Sequence, residues 1–270
     1  MRLNVNFLSP QVFSLPKDYR RYFISLLKKI FTQTGLYQNL YEEKKFKPYT
    51  FSAYLGEKFE IEEEKVQIGE NLFLIFSSGD PIVLANFYNG LLEIKRKGEE
   101  IPLGEKKVNI GEITLLPQRK INFPKVLFRT IGVSVLSNPE ASAKEFKEWY
   151  LLPIDDLERF NNVLRERTKE KYKHINGEEK EIKLTFQNLT EEEFRILKTG
   201  GLLPANFEQP IKETVVEHYG GYVRGFRGVF WLTGDPEILQ FIYDYGFGVR
   251  TGQGFGCVEI ITQVACDNEK

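Results

Sequence analysis

The stretch Gly246-Phe247-Gly248-Val249-Arg250-Thr251-Gly252-Gln253-Gly254-Phe255-Gly256 constrains this chain more than any other. It sets five glycines in eleven residues around one cation and two phenylalanines. Helical spacing of apolar residues precedes it, from Pro236 to Tyr245, and an apolar strand pattern follows, from Cys257 to Ile261. Glycine admits positive φ and lets a neighbour approach the backbone closely. A P-loop or a dinucleotide-binding turn leaves a strand and opens a helix. This loop leaves a helix and opens a strand, and it lacks the Gly-Lys-Ser/Thr ending. Bare N–H groups at Gly248, Gly252 and Gly254 beside the Arg250 guanidinium suit a phosphate-rich ligand. A long flexible ligand such as RNA is therefore favoured over ATP or NAD.

At 270 residues and 41% hydrophobic content the chain can build one large or two medium domains with a real core. Its apolar runs are too short to span a bilayer. Met1 to Phe7 lacks an apolar signal core and alternates as a strand does, so the expectation is a soluble, cytoplasmic protein without a membrane partner. Cys257 and Cys266 make no disulfide framework, and no Cys/His spacing fits zinc. Neither a metal site nor a cofactor is expected. The net charge of −1 gives no global nucleic-acid signal. Its distribution is uneven, because residues 1–55 hold nine Lys/Arg against three Asp/Glu and Glu57 to Glu70 reverses that sign. A neutral protein can still carry a basic face. A solvated helix surface accounts for Arg20, Arg21, Lys28 and Lys29 equally well.

Periodicity supplies the organisation. Leu3, Val5 and Phe7 alternate as a half-buried strand. A helix is expected from Leu15-Pro16, with Tyr22, Phe23, Leu26, Leu27 and Ile30 on one face and Gly35 as its stop. Strands are expected at Pro48–Leu55, with Phe51 inward and Tyr49 or Ser52 outward, and at Lys58–Glu62, Leu72–Ser77 and Val108–Leu116. A second helix runs from Asp80-Pro81 to Tyr88, halted by Asn89-Gly90. The second half repeats this order: a strand at Lys125–Leu136, a helix at Ile154–Lys173, strands at Ile182–Gln187 and Thr214–Leu232, a helix at Asp235–Tyr245, a strand at Gly256–Ile261. The fold class is α+β, two tandem ferredoxin-like βαββαβ domains. The expected boundary gives residues 1–122 and 123–270, joined within Pro117 to Pro124.

Other strings bear on chemistry. Lys47-Pro48-Tyr49-Thr50-Phe51-Ser52 follows a loop holding Tyr37, Tyr41, Lys44 and Lys45. Lysines interleaved with aromatics suit RNA, since cations meet phosphates and rings stack on bases. Val216 to Arg227 is rich in glycine, aromatics and arginine, which makes Arg224 and Arg227 candidate phosphate contacts and His218 a weaker one. An ordinary surface arginine and a strand-edge histidine are the plain readings.

Taken in order, these motifs resemble the Cas6 family of CRISPR RNA-processing endoribonucleases. The likeness runs from Met1-Arg2-Leu3 and Leu15-Pro16-Lys17-Asp18-Tyr19-Arg20 through Lys47–Ser52, Ser137-Asn138-Pro139 and Tyr150-Leu151-Leu152-Pro153 to the glycine-rich loop. Tandem ferredoxin-like domains are implied by the family too. The resemblance implies metal-free cutting of a CRISPR repeat RNA: the ribose 2′-OH attacks the adjacent phosphate, leaving a 2′,3′-cyclic phosphate and a 5′-OH. The protein need then supply only proton transfer and a cation. Where many family members carry a loop histidine, this chain resembles them with Tyr41; Lys47 stands at a family lysine, and Lys28 near a helix tyrosine of some relatives. The implied catalytic set is Tyr41, Lys47 and Lys28, with Arg250, Gly248, Gly252, Gly254, Arg224, Arg227, His218, Lys44 and Lys45 as RNA contacts. The missing histidine keeps open a repeat-RNA-binding protein that does not cut. A ferredoxin-like interaction module unrelated to RNA is a third reading. Other Cas proteins of an effector complex and a second copy of the chain are further candidate partners.

Overall fold

The computed structural model describes residues 1–9, 13–42, 46–55, 60–61, 65–68, 72–140, 145–203 and 207–265. Leu3, Val5 and Phe7 are buried on one face of β1 (Arg2–Leu8), as their alternation requires. In chain order follow β2 (Phe13–Pro16), α1 (Arg20–Gln33), α2 (Tyr37–Tyr41), β3 (Thr50–Tyr54), β4 (Glu60–Ile61), β5 (Lys65–Ile68), β6 (Leu72–Ser77), α3 (Pro81–Arg96), β7 (Ile101–Leu103) and β8 (Lys106–Leu116). The main sheet runs β3-β6-β1-β8-β7, and a smaller one runs β2-β5-β4. Without the added strands, β1-α1-β3-β6-α3-β8 is the ferredoxin-like order.

Three local outcomes differ from the sequence expectation. Leu15-Pro16 ends β2, and α1 begins only at Arg20. Tyr37–Tyr41 forms a short helix instead of a loop. The second helix, capped by the Asp80 carboxylate on Ile82 N–H at 2.7 Å, passes through Asn89-Gly90 to Arg96. Gly90 does not stop it because the glycine serves the packing. A Cβ there would lie 2.4 Å from the Ile30 carbonyl oxygen, so its absence lets α3 lie close against α1.

The second sheet is built from β9 (Lys125–Thr130), α4 (Leu157–Asn176), β10 (Leu184–Asn188), α5 (Glu191–Thr199), β11 (Ile211–His218), β12 (Gly221–Gly234), α6 (Pro236–Tyr245) and β13 (Val258–Val264). Its order is β10-β12-β9-β13, with β11 beside β12. The β9-α4-β10-β12-α6-β13 succession repeats the first topology. The strand expected to reach Leu136 ends at Thr130, ahead of Gly132 at φ +98°. The expected Thr214–Leu232 stretch is a hairpin turning at residues 218–221. Its core stacks the rings of Phe186 and Phe230 at 4.6 Å and sets Phe247 5.2 Å from Phe230. Lys171 of α4 is fully buried, and its Nζ donates to the carbonyls of Tyr245 and Gly246 at 2.6 and 2.9 Å. That bond ties down the end of α6 just where the glycine-rich loop begins.

The chain divides into two compact units, with the first break at Gln118/Arg119. The division is not a single cut. Val216–Tyr222 and Arg250–Phe255, both from the second half of the sequence, belong to the first unit. Among the described residues no helix is long and apolar enough to cross a membrane.

Candidate functional site

Helices α1 and α2 and the segment before β3 bring the three expected catalytic residues, Lys28, Tyr41 and Lys47, together. The Lys28 and Lys47 ammonium groups lie 5.6 and 5.2 Å from the centre of the Tyr41 ring, within cation–π range. The Tyr41 ring also stacks on Tyr37 at 5.1 Å. Its hydroxyl lies 2.5 Å from the hydroxyl of Tyr49. Burial pushes the Tyr41 phenol well above its ordinary range, and the bond to Tyr49 offsets this only in part. The group is therefore a proton donor at neutral pH and no base. Burial, and then the like charge of Lys28, pull the Lys47 ammonium below its usual value.

Tyr49 is the residue that sequence reasoning missed. The expectation places Tyr49 or Ser52 outward, but both are buried, Tyr49 completely. One reason is the turn from Arg250 to Phe255, which covers this edge strand. Thr50 donates its hydroxyl to the Phe255 carbonyl at 3.1 Å, and a Cβ on Gly254 would come within 2.9 Å of the Phe51 ring. A Cβ on Gly252 would come within 2.6 Å of Lys47 Cγ, so the loop lies directly against the Lys47 stem.

Much of the loop backbone is engaged within the protein. The N–H groups of Phe247, Val249, Gln253, Gly254 and Gly256 donate to protein carbonyls. Gly254 does not offer the bare N–H that a phosphate cradle needs. Gly248, at φ +67°, has its Cα where a Cβ would strike the Val135 carbonyl oxygen at 2.2 Å. These glycines allow tight chain packing, whereas Arg250, itself at φ +58°, is exposed.

His218 is a brace beneath the surface, only 5% exposed. Its Nε2 meets Gln253 Oε1 at 3.2 Å, and its Nδ1 lies 3.6 Å from Asp18 Oδ1. Burial lowers its pKa against the opposing pull of Gln253 and Asp18, so the ring is neutral at pH 7. A direct phosphate contact does not fit that position. Arg224 is likewise turned inward. It is 5% exposed and its guanidinium bonds Glu213 at 2.7 Å and Asp155 at 2.8 Å. Those partners, one across the hairpin and one from the segment before α4, already occupy the charge expected to meet a phosphate. Arg227 is exposed on β12. Lys44 and Lys45 lie outside the described residues.

Comparison with known proteins agrees with the topology. The sequence model of the CRISPR-associated protein Cas6 C-terminal region matches residues 116–260. CRISPR-associated endoribonuclease Cas6 1 of Methanocaldococcus jannaschii is 26% identical over 274 residues, spanning all of this chain and 96% of that protein. The CRISPR-associated endoribonuclease-like protein Cas6 of Pyrococcus furiosus is 28% identical over 217 residues, covering 80% of this chain and 79% of its own. Among solved structures, one described as "An RAMP protein binding different RNA substrates" superposes with a TM-score of 0.77 at 24% identity, over 97% of this chain and 100% of that one. A Cas6-related protein from Pyrococcus furiosus superposes with a TM-score of 0.75 at 24% identity, over 100% and 99%. Tandem ferredoxin-like units and a family match over more than half of its length make this chain a member of the Cas6 family.

Proposed function

We propose that this chain is a metal-independent endoribonuclease that cuts the repeat of a CRISPR precursor transcript. The 2′-OH of one ribose attacks its own 3′-phosphate, the bond to the next 5′-oxygen breaks, and the products are a 2′,3′-cyclic phosphate and a 5′-OH. One proton passes from the 2′-oxygen to water, and one reaches the departing 5′-oxygen from a protein donor that regains it from solvent. The observation that supports this reading is the grouping of Lys28, Tyr41 and Lys47. Tyr41 is held protonated, which suits donation to a phosphate oxygen. Lys47, with its proton held less tightly, suits delivery to the leaving oxygen, and Lys28 suits stabilising the developing negative charge. Arg250 and Arg227 supply phosphate contacts along the strand, with Lys44 and Lys45 in the same role.

A specific observation favours a second reading, a repeat-RNA-binding protein that does not cut. The Tyr41 hydroxyl is already engaged by Tyr49, and no histidine stands there. The deciding experiment incubates end-labelled repeat RNA from the same genome in EDTA, beside a copy with one 2′-deoxy substitution at the cut site. Cleavage of the first alone supports the nuclease. Tight binding without cleavage of either supports the binder. Cleavage of both copies would overturn 2′-OH attack.

A further inference from the structure

Among the described residues that are not glycine, two adopt positive φ: Arg250, and Tyr219 at +51°. Tyr219 and Gly220, the latter at φ +74°, are the central pair of the turn between β11 and β12. Two successive positive φ angles are what a type I′ hairpin turn requires, and its first central position prefers Asn, Asp or Gly. A tyrosine there carries a backbone cost of about 1–2 kcal/mol. The fold holds the strained residue in place. Asp18 Oδ2 accepts from the Tyr219 N–H at 2.9 Å, and the His218 ring meets the Tyr219 ring at 4.7 Å, edge to face. The side chain nevertheless stays 58% exposed, so the core does not account for it. Arg21 Nε lies 4.0 Å from the same Asp18 oxygen while its guanidinium donates to the Tyr22 hydroxyl at 3.0 Å, so an exposed cation shares the Asp18 anchor with Tyr219. A held, exposed aromatic ring next to an arginine has the form of a base-stacking platform with a phosphate contact. Strain kept in place by its surroundings points to use.

We propose that Tyr219 is a stacking site for one unpaired base of a single-stranded RNA segment. This rests on the repeat-RNA reading above and adds a site to it. The Asp18 bond fixes the backbone, His218 backs the ring, and Arg21 takes the adjoining phosphate.

Tyr219→Asn separates function from folding, because asparagine suits positive φ and keeps the N–H to Asp18. Its thermal midpoint should equal or exceed that of the parent, while its affinity for repeat RNA falls about tenfold, the usual worth of one stacked base. Tyr219→Phe should bind as the parent does. A scan of repeat RNAs, each with one abasic nucleotide, should then find one position that weakens the parent protein but not Tyr219→Asn. Undiminished binding by a folded Tyr219→Asn would overturn the proposal and leave the RNA reading intact. So would an abasic scan in which no single position weakens binding to the parent protein, a result that decides the matter even should Tyr219→Asn fold poorly. A parent protein that binds no repeat RNA would overturn both.

Discussion

The hydroxyls of Tyr41 and Tyr49 lie 2.5 Å apart, the first on the ring that Lys28 and Lys47 flank and the second wholly buried. This pairing couples a proton donor to the core. Tyr41→Phe should slow cleavage roughly hundredfold, in the range for losing one aimed donor, with little change in RNA affinity. Tyr49→Phe should cost about 1 kcal/mol of stability, because it removes a buried hydrogen bond. Single-turnover rates and urea unfolding of the two variants would check this. Equal, near-parental cleavage in both would remove Tyr41 from the chemistry.

A second prediction concerns pH. Lys47 is held below its usual range by burial first and by the Lys28 charge second. If the Lys47 ammonium protonates the leaving oxygen, cleavage must fall as pH rises through its pKa. Lys28→Gln removes a like charge, favours the charged form of Lys47, and so moves that fall to higher pH. The overall rate should drop as well, since one cation near the phosphate is lost. A pH–rate profile whose alkaline limb stays put in Lys28→Gln would contradict the assignment.

The elements with regular periods were legible in the sequence. The faces of β1 and α1, the helix Pro236–Tyr245 and the βαββαβ order all follow from apolar spacing alone. What escaped was set by neighbours far away in the chain. Nothing local in Val216–Arg227 says that Arg224 will be flanked by Glu213 and Asp155, or that His218 will reach Asp18 and Gln253. Gly90 reads as a stop unless the closeness of Ile30 is known. Lys28, Tyr41 and Lys47 were identified through family resemblance, and only the fold shows them around one ring. Tyr49 was misplaced because its ring packs on Phe31 and Phe76, at 5.8 and 5.2 Å, and the Arg250–Phe255 turn, some two hundred residues away by the separation of Thr50 and Phe255, covers the strand that follows it.

The Gly252–Lys47 contact gives a third prediction. The φ of Gly252 lies outside the positive range, so alanine is acceptable to the backbone, yet its Cβ would meet Lys47 Cγ at 2.6 Å and Cβ at 2.9 Å. These atoms sit near the root of the side chain and cannot swing away freely. Gly252→Ala should therefore displace the Lys47 ammonium and slow cleavage roughly tenfold or more, as small misplacements of a reacting group do. Affinity for RNA should change much less. Parental cleavage in Gly252→Ala would show that Lys47 need not stand where the loop holds it.

Lys171 yields a prediction about stability. Burial lowers its pKa from the ordinary 10.5 to about 7. A neutral amine has two N–H groups, which match the two carbonyls of Tyr245 and Gly246. Between about pH 7 and pH 10.5 the unfolded chain keeps a proton on this amine that the folded chain has released. Raising the pH therefore favours the fold through that window, by at most about 1.4 kcal/mol per pH unit from this group. Below about pH 7 both states hold the proton and the gain is absent. Lys171→Met removes this dependence and leaves two buried carbonyls without their donor, at a cost of about 1–3 kcal/mol. Urea unfolding at pH 7 and pH 9.5 should show the parent gaining on Lys171→Met as pH rises. Parallel curves for the two proteins would mean that the buried amine keeps its proton throughout, held as an ammonium by the carbonyl ends of α6.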